Sequence, residues 1–194
     1  MAISVIRHDD HQLVPWKNGL GMTREVANAH DSEGRMLWRI SLATVDRDGP
    51  FSDFTGYRRI IMLLEGKGMT LDFGEHGRAV MDRPFVPVPF DGGWATSATL
   101  HDGPTRDLNV VTSAGKANGA VAVLEPGNRT VNLAPAHAVT LLYMLRGVAE
   151  VQGGGRPWVL VAGEALRLDG GSQASTLTGR SPDTLVYRID IDLA

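Results

Sequence analysis

The chain has 194 residues, 43% hydrophobic and 21% charged, which is enough apolar content for a buried core and too much for wholesale disorder. It contains no cysteine, so disulfides, thiolate nucleophiles, iron–sulfur ligation and cysteine-based zinc sites are excluded. A net charge of −3 gives no support to a nucleic-acid groove that neutralises phosphates, and the apolar stretches 60–64 and 138–145 fall far short of the ~20 residues a spanning helix needs.

The start, MAISVIRHDDHQL, lacks a basic segment followed by an apolar run, so no signal peptide is expected and the cytoplasm is the expected compartment. Residues 4–7 read as a short first strand. A glycine-punctuated segment, PWKNGLG, follows and leads into an extended run from Met22. On a strand there, Thr23 and Glu25 share one face and Met22, Arg24 and Val26 the other. Residues 38–45 alternate, with Trp38, Ile40 and Leu42 on one face and Arg39, Ser41, Ala43 and Val45 on the other. The stretch DRDGPFSDFTGY reads as turns. Residues 58–64 and 69–73 read as a hairpin through the glycines of Glu65-Gly66-Lys67-Gly68. Three prolines in PFVPVPF place that stretch at an edge or rim. Residues 94–100 and 106–112 are further strands, and on the latter Asp107 and Asn109 share a face.

A small, polar segment at 113–118 marks a boundary between an N-terminal β subdomain, 1–112, and a C-terminal one, 119–194, packed as one compact unit. The later half contains a second hairpin, 137–151, turning at Arg146-Gly147. A faint repeat links the halves. Glu65-Gly66 matches Arg146-Gly147, and Gly92-Gly93 matches Gly170-Gly171. The expectation is an all-β chain with very little helix, built as two related barrels or sandwiches, since pairing or closing sheets buries their open faces.

The chemistry is concentrated in polar residues. The six histidines fall in neither His-x-His nor His-Glu-x-x-His spacing, so no metal and no cofactor is expected. Arg24 and Arg39 each offer a fork for a carboxylate, Asn18 a donor and an acceptor, and Trp16 a stacking face. Each has a plainer reading as well: a structural turn, or a surface ion pair with Glu25. Arg39 and Ser41 are surface residues if their face points outward and ligand donors if it lines a lumen. Phe51 and Phe54 form either a lid over a pocket or a loop pinned to the core. Asp107 is either a buried base or a cap for loop amides. Of Arg58 and Arg59, which alternate, at most one can face a site. Phosphate loops, dinucleotide fingerprints and the nucleophile elbow are absent from the sequence.

Three segments in order, PWKNGLGMTRE, WRISLATVDRDGPFSDFTGYRRIIMLLEGKGMTL and DGPTRDLNVVT, resemble the HutD/Ves family. The resemblance is close over about residues 3–125 and looser beyond. The family usually has glycine where Leu20 stands, and often methionine and proline at Val111 and Thr55. The resemblance implies a cupin-like two-barrel (bicupin) protein without the usual metal histidines, associated with histidine utilisation or stress response. The implied ligand is a small acid such as urocanate or formylglutamate. Matched onto this sequence, the implied ligand-binding residues are Trp16, Lys17, Asn18, Thr23, Arg24, Glu25, Arg39, Ser41, Phe51, Ser52, Arg59, Asp107 and Asn109. The expected partner is a small anionic ligand, with neither nucleic acid nor membrane, and the reading leaves room for a homodimer. Three functions compete: a binding module for a small carboxylate, a metal-independent enzyme using Glu25, Asp107 or a histidine as base, and a protein acting only through its surface. They differ in whether the polar side chains converge on one cavity.

Overall fold

The computed structural model describes residues 2–16, 22–172 and 174–194. Its strands, in chain order, are β1 (Ile3–Ile6), β2 (Gln12–Pro15), β3 (Met22–His30), β4 (Met36–Val45), β5 (Gly49–Pro50), β6 (Tyr57–Glu65), β7 (Met69–Asp72), β8 (Arg78–Met81), β9 (Pro87–Asp91), β10 (Ser97–Leu100), β11 (Thr105–Ser113), β12 (Ala117–Leu124), β13 (Thr130–Asn132), β14 (Val139–Arg146), β15 (Val148–Gly153), β16 (Arg156–Val161), β17 (Ala165–Asp169), β18 (Ala174–Gly179) and β19 (Leu185–Leu193). Among the described residues the only helical pieces are two single 3₁₀ turns, His8–Asp10 and Gly74–His76.

The strands sort into two units, each of two sheets. The first unit spans His11–Ala117. Its six-stranded sheet runs β2-β3-β4-β11-β6-β9 and its four-stranded sheet β5-β10-β7-β8. Period-2 alternation turns Ile61 and Leu63 of β6 into a core with Val45, Met69, Leu71, Phe73, Met81, Phe90 and Ala98. Each such fully buried aliphatic or aromatic side chain contributes about 1.5–3 kcal/mol. The other face of the six-stranded sheet carries Trp38, Ile40, Leu42, Met62, Leu108 and Val110, also buried. Burial on both faces explains why β6 reads as a nearly continuous apolar run. The prolines of β9 sit, as expected, on an edge strand.

The second unit holds Asn118–Ala194 together with the segment ending at Asp10. Its sheets run β1-β17-β14-β19-β12 and β13-β18-β15-β16. Leu142, Met144, Val151, Leu160, Leu166, Leu168, Leu177 and Val186 fill its core. Here the chain departs from a division at 1–112. Strand β1 pairs antiparallel with β17, Ile3 opposite Leu168 and Ile6 opposite Ala165, so the first residues complete a sheet of the later half.

The repeat is real at the level of topology. The order β4-β11-β6-β9 in one unit matches β12-β19-β14-β17 in the other, and β5-β10-β7-β8 matches β13-β18-β15-β16. The two expected hairpins, however, are corners. The turn at Glu65–Gly68 carries the chain from β6 in the six-stranded sheet to β7 in the four-stranded one, and Gly147 does the same between β14 and β15. Gly68 has φ of +96°, and a Cβ there would lie 1.9 Å from the Met81 carbonyl oxygen. A turn that tight against neighbouring backbone admits no side chain, which is why glycine marks the corner in both halves.

Candidate functional site

Three neighbouring strands of the first unit lay their polar residues side by side. Across β3, β4 and β11 the register places Thr23 opposite Ala43 and Ala43 opposite Asp107, and in the next row Glu25 opposite Ser41 and Ser41 opposite Asn109. Strand β6 adds Arg59. All of these except Glu25 line a cavity of about 190 Å³, with Val14, Pro15 and Trp16 on one side and Phe51, Ser52 and Phe54 on another. A volume of that size takes on the order of ten waters, or a small organic ligand in their place.

Arg59 is 6% exposed and ringed by three phenyl groups, its guanidinium carbon 5.3 Å from the Phe51 centroid, 5.1 Å from Phe54 and 4.9 Å from Phe90. Its Nη2 donates to Asn109 Oδ1 at 2.6 Å, and Asn109 Nδ2 in turn donates to Asp107 Oδ1. Asp107 is 1% exposed, and its second oxygen has no hydrogen-bond partner among the described residues. Burial pushes the Asp107 carboxyl up to about 7, against the pull of Arg59. Burial also brings the Arg59 guanidinium down to about 10; Asp107 opposes that shift and the charge of Arg39 adds to it. Arg59 is therefore a cation at neutral pH, while Asp107 is poised between its two states.

Arg39 is held more loosely. Its Nε lies 3.9 Å from Glu25 Oε2 and its guanidinium 5.1 Å from the Phe54 centroid, and it makes no hydrogen bond among the described residues. Burial lowers its pKa and the nearby Glu25 carboxylate opposes the shift. Asn28 fixes Glu25 by donating its side-chain amide to Oε1. Trp16 is fixed by its indole N–H, which donates to Thr23 Oγ1 at 2.8 Å.

The second unit supplies a comparison within the same chain. Its buried Arg188 donates from Nε to Asp190 at 2.7 Å and from its two Nη atoms to the carbonyls of Ala134 and Pro135 at 3.0 and 2.9 Å. Each of the three nitrogens of that guanidinium donates to a protein acceptor. Arg59 has one such acceptor and Arg39 has none.

Of the residues expected to bind ligand, the structure brings Trp16, Thr23, Arg39, Ser41, Phe51, Ser52, Arg59, Asp107 and Asn109 onto this cavity. Glu25 stands behind Arg39 and acts on it. Arg24 is a correction: it pairs with Leu42, on the opposite face of the sheet from Thr23, because neighbouring residues of a strand point to opposite sides. Lys17 and Asn18 lie outside the described residues. Arg58 is exposed while Arg59 is buried, as alternation requires. Phe54 and Phe90 stand outside the set of residues implied by the resemblance, yet Phe54 lines the cavity and both ring Arg59. The sequence offers Phe54 with Phe51 as a lid or a core pin, and the structure sets both on the cavity, whereas Phe90 reaches Arg59 only through the pairing of β9 with β6.

Gly92 positions the aromatic side of the cavity. Its carbonyl accepts from Phe54 N and its amide donates to Tyr57 O, and a Cβ there would lie 2.7 Å from Phe54 Cβ and 2.8 Å from Phe54 O. Gly92→Ala is expected to cost about 2 kcal/mol and to displace Phe54 from Arg59. Urea denaturation together with the Phe54 ring resonances would check this; unchanged values for both would contradict it. Among the described residues no group of three or more His, Asp or Glu side chains is placed to hold a metal ion. No helix among them is long and apolar enough to cross a membrane.

An uncharacterised 21.2 kDa protein from the hutC 3′ region of Pseudomonas putida is 32% identical over 174 residues, 88% of this chain and 89% of that one. Protein Ves of Citrobacter koseri is 33% identical over 111 residues, 57% of this chain and 58% of its own length. HutD from Pseudomonas fluorescens SBW25 superposes with a TM-score of 0.83 at 28% identity, covering 100% of both chains. At the level of fold alone, a cupin 2 conserved barrel domain protein from Leptotrichia buccalis superposes with a TM-score of 0.55 at 13% identity, covering 89% and 88% of the two chains, so the fold is cupin-like. The HutD family model matches residues 8–186, and the chain belongs to the HutD family.

Proposed function

We propose that the protein is a cytoplasmic, non-catalytic binding or regulatory protein of histidine utilisation, that each unit is a cupin-type barrel, and that the cavity of the first unit holds a small carboxylate such as urocanate or formylglutamate. The observation that carries this reading is the pair Arg39 and Arg59, two guanidiniums short of acceptors in one cavity with phenyl walls. A buried guanidinium needs an acceptor, and a carboxylate supplies two in a fork of matching geometry. Asn109 and Thr23 orient the polar remainder of the ligand, and Trp16 and Phe51 cover a ring or alkyl segment. The hutC-region relative and the HutD likeness support the pathway. Titration calorimetry with urocanate and with formylglutamate tests the reading. Saturable binding is expected with at least one of them, and heats equal to dilution with both, at millimolar ligand, would refute it.

A second reading is favoured by one feature, the Asp107 carboxyl held near neutrality, which suits a general base in a metal-independent enzyme acting on a small acid or sugar derivative. Product formation by proton NMR under saturating protein would establish it. Complete recovery of the ligand would exclude it for that compound.

A further inference from the structure

The lining of the cavity has a direction, which the strand register sets. Arg39 of β4 and Arg59 of β6 both stand opposite Val111 of β11, so the two arginines share a row. The next row holds Ser41 and Asn109, and the one beyond it Ala43 and Asp107. Arg39 and Ala43 are four residues apart on β4, about 13 Å along the strand. Cations therefore root at one end of the lining and a carboxyl at the other. Asn109 joins them. Its Oδ1 accepts from Arg59 and its Nδ2 donates to Asp107 Oδ1, which fixes its amide in one orientation and makes Asp107 Oδ1 an acceptor. Asp107 Oδ2 is different. It is buried, belongs to a residue that lines the cavity, and has no hydrogen-bond partner among the described residues. A buried carboxylate oxygen without a donor is costly, and a ligand N–H in the cavity supplies one. A ligand acceptor would instead need Oδ2 protonated, whereas the Asn109 amide and a ligand N–H together favour the ionised form. We propose, resting on the carboxylate-site reading above, that the cavity takes a carboxylate that also carries an N–H group, its carboxylate meeting the arginines and its N–H donating to Asp107 Oδ2, so that Asp107 sets this specificity. Urocanate has such a donor in its imidazole ring and formylglutamate in its amide. A carboxylate of the same shape without an N–H falls outside the class.

Two matched pairs isolate the N–H. One is urocanate and its thiazole analogue, in which ring sulfur takes the place of the N–H; the other is formylglutamate and its analogue with a methylene in that place. Calorimetry on the wild type at about pH 8, where a carboxyl held at about 7 is mostly ionised, is expected to show the N–H member of a binding pair held at least about tenfold more tightly than its analogue. Asp107→Asn supplies the converse. Its carbonyl keeps the bond from Asn109 and sets an NH₂ where Oδ2 stood, so donor meets donor and the preference is expected to vanish or invert. Because each ratio is taken within one protein, a moderate change in stability does not affect it, and the wild-type comparison needs no variant. Equal or tighter binding of the N–H-free member by the wild type would overturn N–H recognition while leaving the carboxylate site standing. A preference undiminished in Asp107→Asn would put the N–H on a different acceptor and overturn the role of Asp107. Absence of binding by all four compounds would overturn the carboxylate site itself, and this proposal with it.

Discussion

Asp107→Asn is expected to abolish a pH dependence of stability worth roughly 4 kcal/mol. The folded protein holds this carboxyl at about 7 against an ordinary 3.8, and each unit of difference corresponds to about 1.4 kcal/mol. Below about pH 4 the group is protonated in both the folded and the unfolded chain and contributes nothing. Between about pH 4 and about pH 7 the unfolded chain ionises it while the folded chain keeps the proton, so wild-type stability falls across that window. Above about pH 7 both forms are ionised and the loss stops growing. Asparagine has no such titration, and its carbonyl still accepts from Asn109. Urea unfolding of both proteins from acid to mildly alkaline pH gives a difference curve free of every other titrating group. That curve should rise in favour of the variant across the window and then level off; a flat difference would show that Asp107 titrates normally. A buried carboxyl that costs stability at neutral pH, beside a cavity, is the kind of group that function rather than folding retains.

Much of this site follows from alternation. In β4, Trp38, Ile40 and Leu42 lie on one face and Arg39, Ser41, Ala43 and Val45 on the other, as period 2 demands, and the latter four all line the cavity. Asp107 and Asn109 follow the same rule, as do Arg58 and Arg59. The same rule places Arg24 away from Thr23, so a site set drawn from shared family motifs admitted a residue that strand geometry removes. What alternation cannot reveal is which strands become neighbours. The pairing of β1 with β17, more than 150 residues later, and the approach of Phe90 to Arg59 depend on contacts between distant segments, and nothing local encodes them. Corners read as hairpins in the sequence for a related reason. Glycines at positive φ serve a turn within a sheet and a turn between sheets equally well, and only the partners of the flanking strands tell the two apart. The convergence of nine expected residues on one cavity disfavours a role confined to the outer surface.

Arg39→Ala is expected to reduce carboxylate affinity on the order of a hundredfold while changing stability by no more than about 1 kcal/mol. Each charged hydrogen bond from this guanidinium to a carboxylate is worth about 1.5–3 kcal/mol, and the group makes no hydrogen bond among the described residues. What folding loses is a contact at 3.9 Å with Glu25, which keeps its bond from Asn28, and a stack on Phe54 worth about 0.5–1 kcal/mol. Against that stands a gain, because Arg39 repels Arg59. Arg59→Ala should behave differently. It strips Asn109 of its donor and leaves Asp107 without a counter-charge, so it should cost about 3 kcal/mol of stability as well as the ligand, and the stability cost should be larger at alkaline than at acid pH, where Asp107 keeps a proton. Calorimetry and urea unfolding on the two variants side by side resolve the roles. If Arg39→Ala unfolds as readily as Arg59→Ala, Arg39 is part of the scaffold; if it stays folded and still binds, the carboxylate is held without it. Intact stability with lost binding in Arg39→Ala alone would identify Arg39 as the arm that reaches for the ligand and Arg59 as the buried charge that keeps the cavity in place.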